Sequence, residues 1–466
     1  MIVRNEEHNL PVSLGSVADL VDEIVVIDTG STDRTKEVAQ SFGARVFDFP
    51  WCDSFAAARN ESVRRARGDW VFWLDADDTL DDSNRKTLQE LFASLGTENV
   101  AYLMLCVSAS SASDPTAAVA VHHARLFRRH PDIRWRYRVH EQILLSVRES
   151  GGVQHISDVR IRHRGYTNPQ AKQAKLERNL RLLTLDLSDH PGDPYLLFYL
   201  GWTQMELGQV QAAEEHLTAC LQTAPEGMSI LPETHSLLVQ TVHQRYGVTE
   251  ALATCRKGLR QFPADVELTF LRGTLHMELQ QWDEAFTWFE KLLDRETNVQ
   301  LSGSDVGIQD FKARHNLAYI QQKRNRFDEA EAQWRTVLSQ QPQFRPVWLG
   351  LGDLLAHQQR WADLYALLET VSSASGQTLE GDCLRARLLS GQGKTEQAEQ
   401  LLREVATKAP KAVLPWVTLC QVQEASEASP EQLTHTLQQI LDRDAGHADA
   451  QRKMHQLNSD VSQQLS

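Results

Sequence analysis

What most constrains this chain is a repeat carried within it. Gly201, Val239, Gly273, Ala318 and Ala386 are each followed twelve residues later by an alanine, at Ala213, Ala251, Ala285, Ala330 and Ala398. Twelve residues further on, Pro225, Pro263, Pro342 and Pro410 close four of those five units. The period is 34 residues between Val239 and Gly273, between Ala318 and Gly352, and between Gly352 and Ala386. Apolar residues between these marks follow a helical period, and proline cannot continue a helix, so each unit reads as two antiparallel helices. Small residues where the two helices cross let them pack closely, and one pair cannot bury its apolar face alone, so neighbouring pairs must share a continuous core. About seven units fit between roughly Pro194 and Ala450, with an insertion around Thr297 to Asp310, Leu364 where an alanine should follow Gly352, and a degenerate last unit near Trp416. Trp282, Trp288, Trp334, Trp348, Trp361 and Trp416 read as repeat core rather than as a binding stripe.

The 34-residue period, the Leu200-Gly201 and Leu351-Gly352 pairs and the helix-ending prolines resemble tetratricopeptide repeats. That resemblance implies an all-α solenoid whose concave groove suits a peptide or protein partner. The domain organisation expected is an α/β domain over residues 1–168, a linking helix over 169–193, the solenoid over 194–450 and a tail over 451–466.

Before Asn168-Pro169 the pattern is different. Buried-type strands are expected at Glu23 to Asp28, Ala44 to Phe49, Trp70 to Leu74 and Ala101 to Val107, with helices between them, which argues for a mostly parallel sheet. The opening Met1-Ile2-Val3 is a short apolar stub, so either the first strand is brief or the natural start lies upstream. Two strands end in acids, one at Asp28 and one in Asp75-Ala76-Asp77-Asp78. The C-terminal edge of such a sheet is where ligands bind. Asp75 and Asp77, two apart, point to one side of an extended segment and can share a hard divalent cation with a substrate diphosphate. Ser108 to Thr116 reads as a loop, and Arg134 to Glu141, alternating basic with aromatic or apolar residues, as an edge strand.

Arg4-Asn5-Glu6-Glu7, Ile27-Asp28-Thr29-Gly30-Ser31-Thr32-Asp33, Ala58-Arg59-Asn60 and Leu74-Asp75-Ala76-Asp77, in that order, resemble the successive motifs of family 2 glycosyltransferases of GT-A fold. Trp51-Cys52-Asp53-Ser54-Phe55 narrows the resemblance to the branch with the sublancin-type peptide S-glycosyltransferases. The resemblance implies a Rossmann-like α/β GT-A domain and an inverting transfer from a nucleoside-diphosphate sugar, with a UDP-linked donor expected, and Mn²⁺ or Mg²⁺. It implies that Asp28 holds the nucleoside with Glu6 beside it, that Arg59 faces the nucleotide or diphosphate, and that Asp75 contacts the ribose or a metal-bound water. Asp77 would bind the metal and His163 would complete its shell, with His122 and His123 as weaker candidates, and Glu141 after His140 would be the general base. Thr29 stands where many members have a second Asp, which leaves the preferred base open.

Composition narrows the partners. A formal charge of −14 disfavours a nucleic-acid backbone and anionic membrane. The six cysteines include no C-x-x-C pair, no apolar run is long enough to span a membrane, and residues from Met1 on lack the basic start and long apolar core of a signal peptide, so a cytoplasmic protein is expected. The acceptor expected is a peptide or protein side chain or a cell-surface glycan. Two competing readings are a sugar nucleotidyltransferase, disfavoured because Arg4-Asn5-Glu6-Glu7 stands where a Gly-rich phosphate loop belongs, and a non-catalytic repeat scaffold with a degenerate front domain.

Overall fold

The computed structural model describes residues 1–109, 118–165, 169–294, 304–305 and 307–464. Most of the loop expected at Ser108 to Thr116 and much of the insertion at Thr297 to Asp310 lie outside them. The chain forms two compact units, Met1–Gln309 and Asp310–Ser466.

The first unit opens with β1 (Ile2–Val3), α1 (Leu10–Gly15), β2 (Val25–Asp28), α2 (Thr35–Ser41) and β3 (Arg45–Asp48). The three strands are parallel in the order β1-β2-β3, with Val3 beside Asp28 and Asp28 beside Asp48. Val3, Leu10, Leu14, Val26, Ala39 and Ala44 form its core. Next come α3 (Phe55–Arg65), capped by the Ser54 side chain, then β4 (Trp70–Phe72), β5 (Asp78–Thr79) and α4 (Asp82–Ala93), capped by Asp81. The α/β part continues through β6 (Val100–Ala109), β7 (Ala118–Arg128), α5 (Leu144–Glu149) and β8 (Val153–His163).

These later strands build a second, mixed sheet in the order β4-β7-β6-β8-β5, with β9 (Ser304–Asp305) on β7. Among the described residues of this sheet, only β6 and β8 pair in parallel. The strand leading to the acids, β4, therefore pairs antiparallel with β7, Trp70 facing Arg128, and β5 pairs antiparallel with β8, Asp78 facing His163. The parallel sheet expected is present in β1, β2 and β3, but the strands expected in it at Trp70 to Leu74 and Ala101 to Val107 belong to the mixed sheet; the acid loop is shared between the two, because Ala76 packs into the core around Val3 and Val26.

One expectation fails. Arg134 to Glu141 is not an edge strand but a tight loop, with a single bridge between Arg136 and Gln142. Tyr137 and His140 have φ of +70° and +53°, left-handed values that turn the chain back and cannot continue a strand.

The helical part begins with α6 (Pro169–Asp189) and proceeds in pairs, α7 (Pro194–Glu206) with α8 (Val210–Thr223), α9 (Leu231–Tyr246) with α10 (Val248–Gln261), and Val266–Glu278 with Trp282–Leu293. The small residues act as the repeat requires. A Cβ on Gly201 would lie 2.6 Å from Leu217 Cγ, and one on Gly273 2.7 Å from Phe289 Cζ. The second unit holds four further pairs, from Phe311–Lys323 with Phe327–Gln340 to Leu414–Ala425 with Pro430–Leu441. Trp334 and Trp348 are fully buried in its core. A last helix runs from Ala448 to Gln464, where a tail was expected. Among the described residues no helix is long and apolar enough to cross a membrane.

Candidate active site

The acid segment is a turn closed on itself. Asp78 N donates to Asp75 O at 3.1 Å, Asp75 N donates to Asp78 Oδ2 at 2.8 Å, and Ser13 Oγ of α1 donates to Asp75 O at 3.3 Å. Asp78 is fully buried, and its carboxylate also takes Arg125 Nη1 at 2.7 Å and lies 2.9 Å from His163 Nδ1. Strand register causes this meeting, since β5 sets Asp78 opposite His163 and β7 carries Arg125 behind them. Arg125 is 3% exposed, donates from Nε to Cys106 Sγ at 3.2 Å, and lies 3.8 Å from the centre of the Trp73 ring.

A second buried arginine joins the acid turn to the Arg134–Gln142 loop. From α3, Arg59 donates through Nη2 to Asp75 Oδ1 at 2.9 Å and through Nε to Glu141 Oε1 at 2.5 Å. Its guanidinium lies 4.1 Å from the Trp73 ring centre and 5.1 Å from that of Trp135, so two aromatic walls and two carboxylates fix its plane. Burial alone would raise the Asp75 carboxyl, but the charges of Arg59 and Arg125 outweigh it and hold that group well below the usual carboxylate range.

Asp77 behaves in the opposite sense. Burial pushes its carboxyl up, His163 offsets part of that, and the nearby Asp75 and Asp78 charges add to the rise. It accepts from Gly165 N at 3.2 Å and stands 3.4 Å from His163 Nδ1. His163 is raised by its hydrogen bond to Asp78, burial opposing, with further help from the Asp77 and Asp78 charges. One ligand atom each of Asp75, Asp78 and His163 lie within 4.8 Å of one another. His123 is pushed down to about 4 by burial and then by Arg125, so its imidazole is neutral.

Asp28 ends β2 and Glu6 follows β1, and the loops after these two strands are laced together. Asp28 is buried; its Oδ1 accepts from Gly30 N and Ser31 N, both at 2.9 Å, while Oδ2 is buried without a hydrogen-bond partner. Gly30, at φ +108°, permits the turn. Thr29 Oγ1 donates to Val3 O at 3.0 Å, so this residue serves the backbone. Asn5 Oδ1 accepts from Thr32 N at 2.8 Å, and Glu6 takes Asn9 Nδ2 on Oε2 at 2.8 Å while its N donates to Thr35 Oγ1 at 2.7 Å.

The structure thus joins Arg59, Asp75 and Glu141 directly and sets Asp77 beside His163. Sequence reasoning named Asp78 only as one of the strand-ending acids and missed Arg125. The available signal was a lone arginine in the apolar run Ala124 to Phe127, since a charge inside a strand of that kind needs a buried partner.

Residues 1–142 match the profile described as Glycosyl transferase family 2. The chain carries a family 2 glycosyltransferase domain. Tetratricopeptide-repeat profiles match residues 195–227, 247–298, 315–363 and 379–404, so repeats follow the glycosyltransferase domain. A TPR repeat-containing protein of Synechococcus elongatus is 37% identical over 235 residues, 48% of this chain and 57% of that protein. The prophage-derived glycosyltransferase SunS of Bacillus subtilis is 27% identical over 211 residues, 43% of this chain and 47% of that protein. An uncharacterized glycosyltransferase of Rickettsia typhi is 32% identical over 94 residues, 20% of this chain and 32% of that protein. The chain spans about half the length of the first two of these relatives. A tetratricopeptide repeat protein of Parabacteroides merdae aligns with 54% of this chain and 94% of its own at 21% identity and a TM-score of 0.42.

Proposed function

We propose that the protein is a metal-dependent, inverting glycosyltransferase that moves a sugar from a nucleoside-diphosphate sugar, UDP-linked, to a polypeptide side chain or a glycan. The observation that carries this reading is Arg59, whose one guanidinium ties Asp75 of the acid turn to Glu141. A carboxylate for the donor side and a carboxylate for the acceptor side are thereby held at a fixed separation.

In this reading Glu141 Oε1 accepts from Arg59 and Oε2 takes the proton of the acceptor nucleophile. The acceptor atom attacks the anomeric carbon, the bond from that carbon to the diphosphate oxygen breaks, and the nucleoside diphosphate leaves with the bonding pair. The buried, unpartnered Asp28 Oδ2 supports a role for this residue in accepting a base N–H.

The acid turn fits a divalent cation. Both Asp78 oxygens are engaged by Arg125, Asp75 N and His163, so Asp78 supports the site from behind. With Nδ1 hydrogen-bonded to Asp78, His163 keeps Nε2 as the basic nitrogen, the arrangement by which a carboxylate orients a metal-binding imidazole. Asp77 and His163 would hold Mn²⁺ or Mg²⁺, which supplies neutralisation of the charge developing on the departing diphosphate.

The test is calorimetric titration with UDP, with and without Mn²⁺, on the wild type, Asp77→Ala and Glu141→Gln. The expected pattern is metal-dependent binding that Asp77→Ala abolishes and Glu141→Gln retains, with turnover of UDP-sugars lost in both. Absence of binding by UDP and by the other nucleoside diphosphates would favour the scaffold reading.

A further inference from the structure

The loop that carries Glu141 is held by the helical part of the chain as well as by the sheet. Five residues of the loop, Tyr137, Arg138, Val139, His140 and Gln142, touch α6, α7 or the cap of α7, and Gln142 Nε2 donates to Tyr199 Oη at 3.4 Å. Tyr137 Oη donates to Asp193 Oδ2 at 2.9 Å, and Arg138 gives its N to Asp186 Oδ2 at 2.5 Å and its Nη2 to Asp189 Oδ2 at 2.8 Å. Val139 is buried with Leu182, Leu183, Leu196 and Leu200. The His140 ring lies flat on Tyr199, with centroids 4.1 Å apart and planes 6° from parallel.

The α7 side of this contact is a stripe. Tyr195, Tyr199 and Trp202 are spaced i, i+4, i+7 and share one helix face. Tyr195 lies 6.2 Å from Tyr137, and Tyr199 and Trp202 lie 4.1 and 5.5 Å from His140. His140 sits at φ +53°, a conformation a β-carbon-bearing residue adopts only when its surroundings over-determine it. Burial drives its imidazole down to about 3, helped by the Lys175 and Arg178 charges, so a neutral ring stacks on Tyr199.

We infer that Tyr199, on the first repeat helix, is a positioning residue for the transfer, acting through the His140 ring to fix the backbone on which Glu141 stands. The inference rests on the proposed role of Glu141. It also places α6 and α7 within the working catalytic unit, so the unit extends past residue 168 to the end of α7.

The experiment compares the full-length wild type with Tyr199→Ala, Tyr199→Phe and Glu141→Gln. Three readouts are taken, namely calorimetric affinity for UDP with Mn²⁺, release of UDP from UDP-glucose, UDP-galactose and UDP-N-acetylglucosamine, and amide hydrogen exchange over residues 136–142. In Tyr199→Ala turnover should fall about 100-fold, the loss expected from displacing a reacting group by roughly 1 Å. UDP affinity should stay within about twofold and exchange over 136–142 should rise. Tyr199→Phe keeps the ring face, gives up only the 3.4 Å bond from Gln142 Nε2 to its hydroxyl, and should restore both turnover and protection. Wild-type turnover and exchange in Tyr199→Ala would overturn the inference, as would an equal loss in Tyr199→Phe. Should Tyr199→Ala fail to fold, Tyr199→Leu fills the space without a ring face and takes its place with the same expectations. Wild-type turnover in Glu141→Gln would instead sink the role given to Glu141, leaving the exchange comparison to decide whether Tyr199 holds the loop.

Discussion

Replacing Arg125 by methionine isolates the charge that holds the acid turn together. Arg125 and Asp78 are 3% and 0% exposed and meet at 2.7 Å, so neither can fall back on water when its partner is removed. Losing one member of such a pair costs about 3–5 kcal/mol, most of it from the charge left behind rather than from the lost attraction. Methionine has nearly the length of the arginine stem and keeps a contact with the Trp73 ring, so the packing contribution changes little. Arg125→Met should therefore lower the opening free energy of the mixed sheet by about 3 kcal/mol or more. Asp78→Asn in the same background should recover part of that, because an amide left without its guanidinium partner is far cheaper to bury than a carboxylate.

Hydrogen exchange on peptides from β6, β7 and β8 is the suitable assay, because it reads this sheet's own opening rather than a global transition of a chain with two compact units. A coupling between the two substitutions of at least about 1 kcal/mol is expected for groups in direct contact. A loss below about 1 kcal/mol in Arg125→Met, or strict additivity in the double variant, would show that Asp78 is not held as a buried carboxylate by Arg125. The arguments built on its support of His163 would fall with it.

Other outcomes follow from single residues. Asp28→Asn keeps the Oδ1 contacts to Gly30 and Ser31 but turns the orphaned oxygen into a donor, so UDP affinity should fall about 10- to 100-fold by calorimetry, and an unchanged affinity would remove Asp28 from the nucleoside site. His163 titrates above its ordinary 6.5, so without metal its contact with Asp78 stabilises the fold at pH values below 6.5 and that stability is lost as pH rises through the folded value. Affinity for Mn²⁺ should climb over the same range as the proton is displaced, and thermal scans with and without Mn²⁺ should diverge as pH increases; parallel curves would contradict the assignment. Gly273→Ala drives a methyl into the Phe289 ring and should destabilise that repeat by about 1–3 kcal/mol while leaving UDP binding intact, as urea unfolding and calorimetry would show.

The repeats were legible because each unit touches mainly its neighbours, so a small residue such as Gly201 and the Leu217 it admits lie within one period of sequence. The acids at the strand ends were legible for a similar local reason. Arg125 and Asp78 are 47 residues apart and meet only through the β4–β7 and β5–β8 registers, which no local pattern encodes. The misread loop is more instructive. In an edge strand, the apolar residues of such an alternation, Trp135, Tyr137 and Val139, would all face one core; in this loop they divide between two. Trp135 enters the cluster of Phe127, Ile133 and Val147 against the mixed sheet, while Tyr137 and Val139 enter the cluster of Leu182, Leu196 and Leu200 on α6 and α7. The same alternation thus came from a different cause. It also explains the placing of Glu141, which lies between His140 and Gln142, both in contact with Tyr199, and faces the arginine that the sheet and α3 hold. A carboxylate carried by either layer alone would move with that layer, whereas one pinned between them keeps its distance from Asp75 only while both are in place.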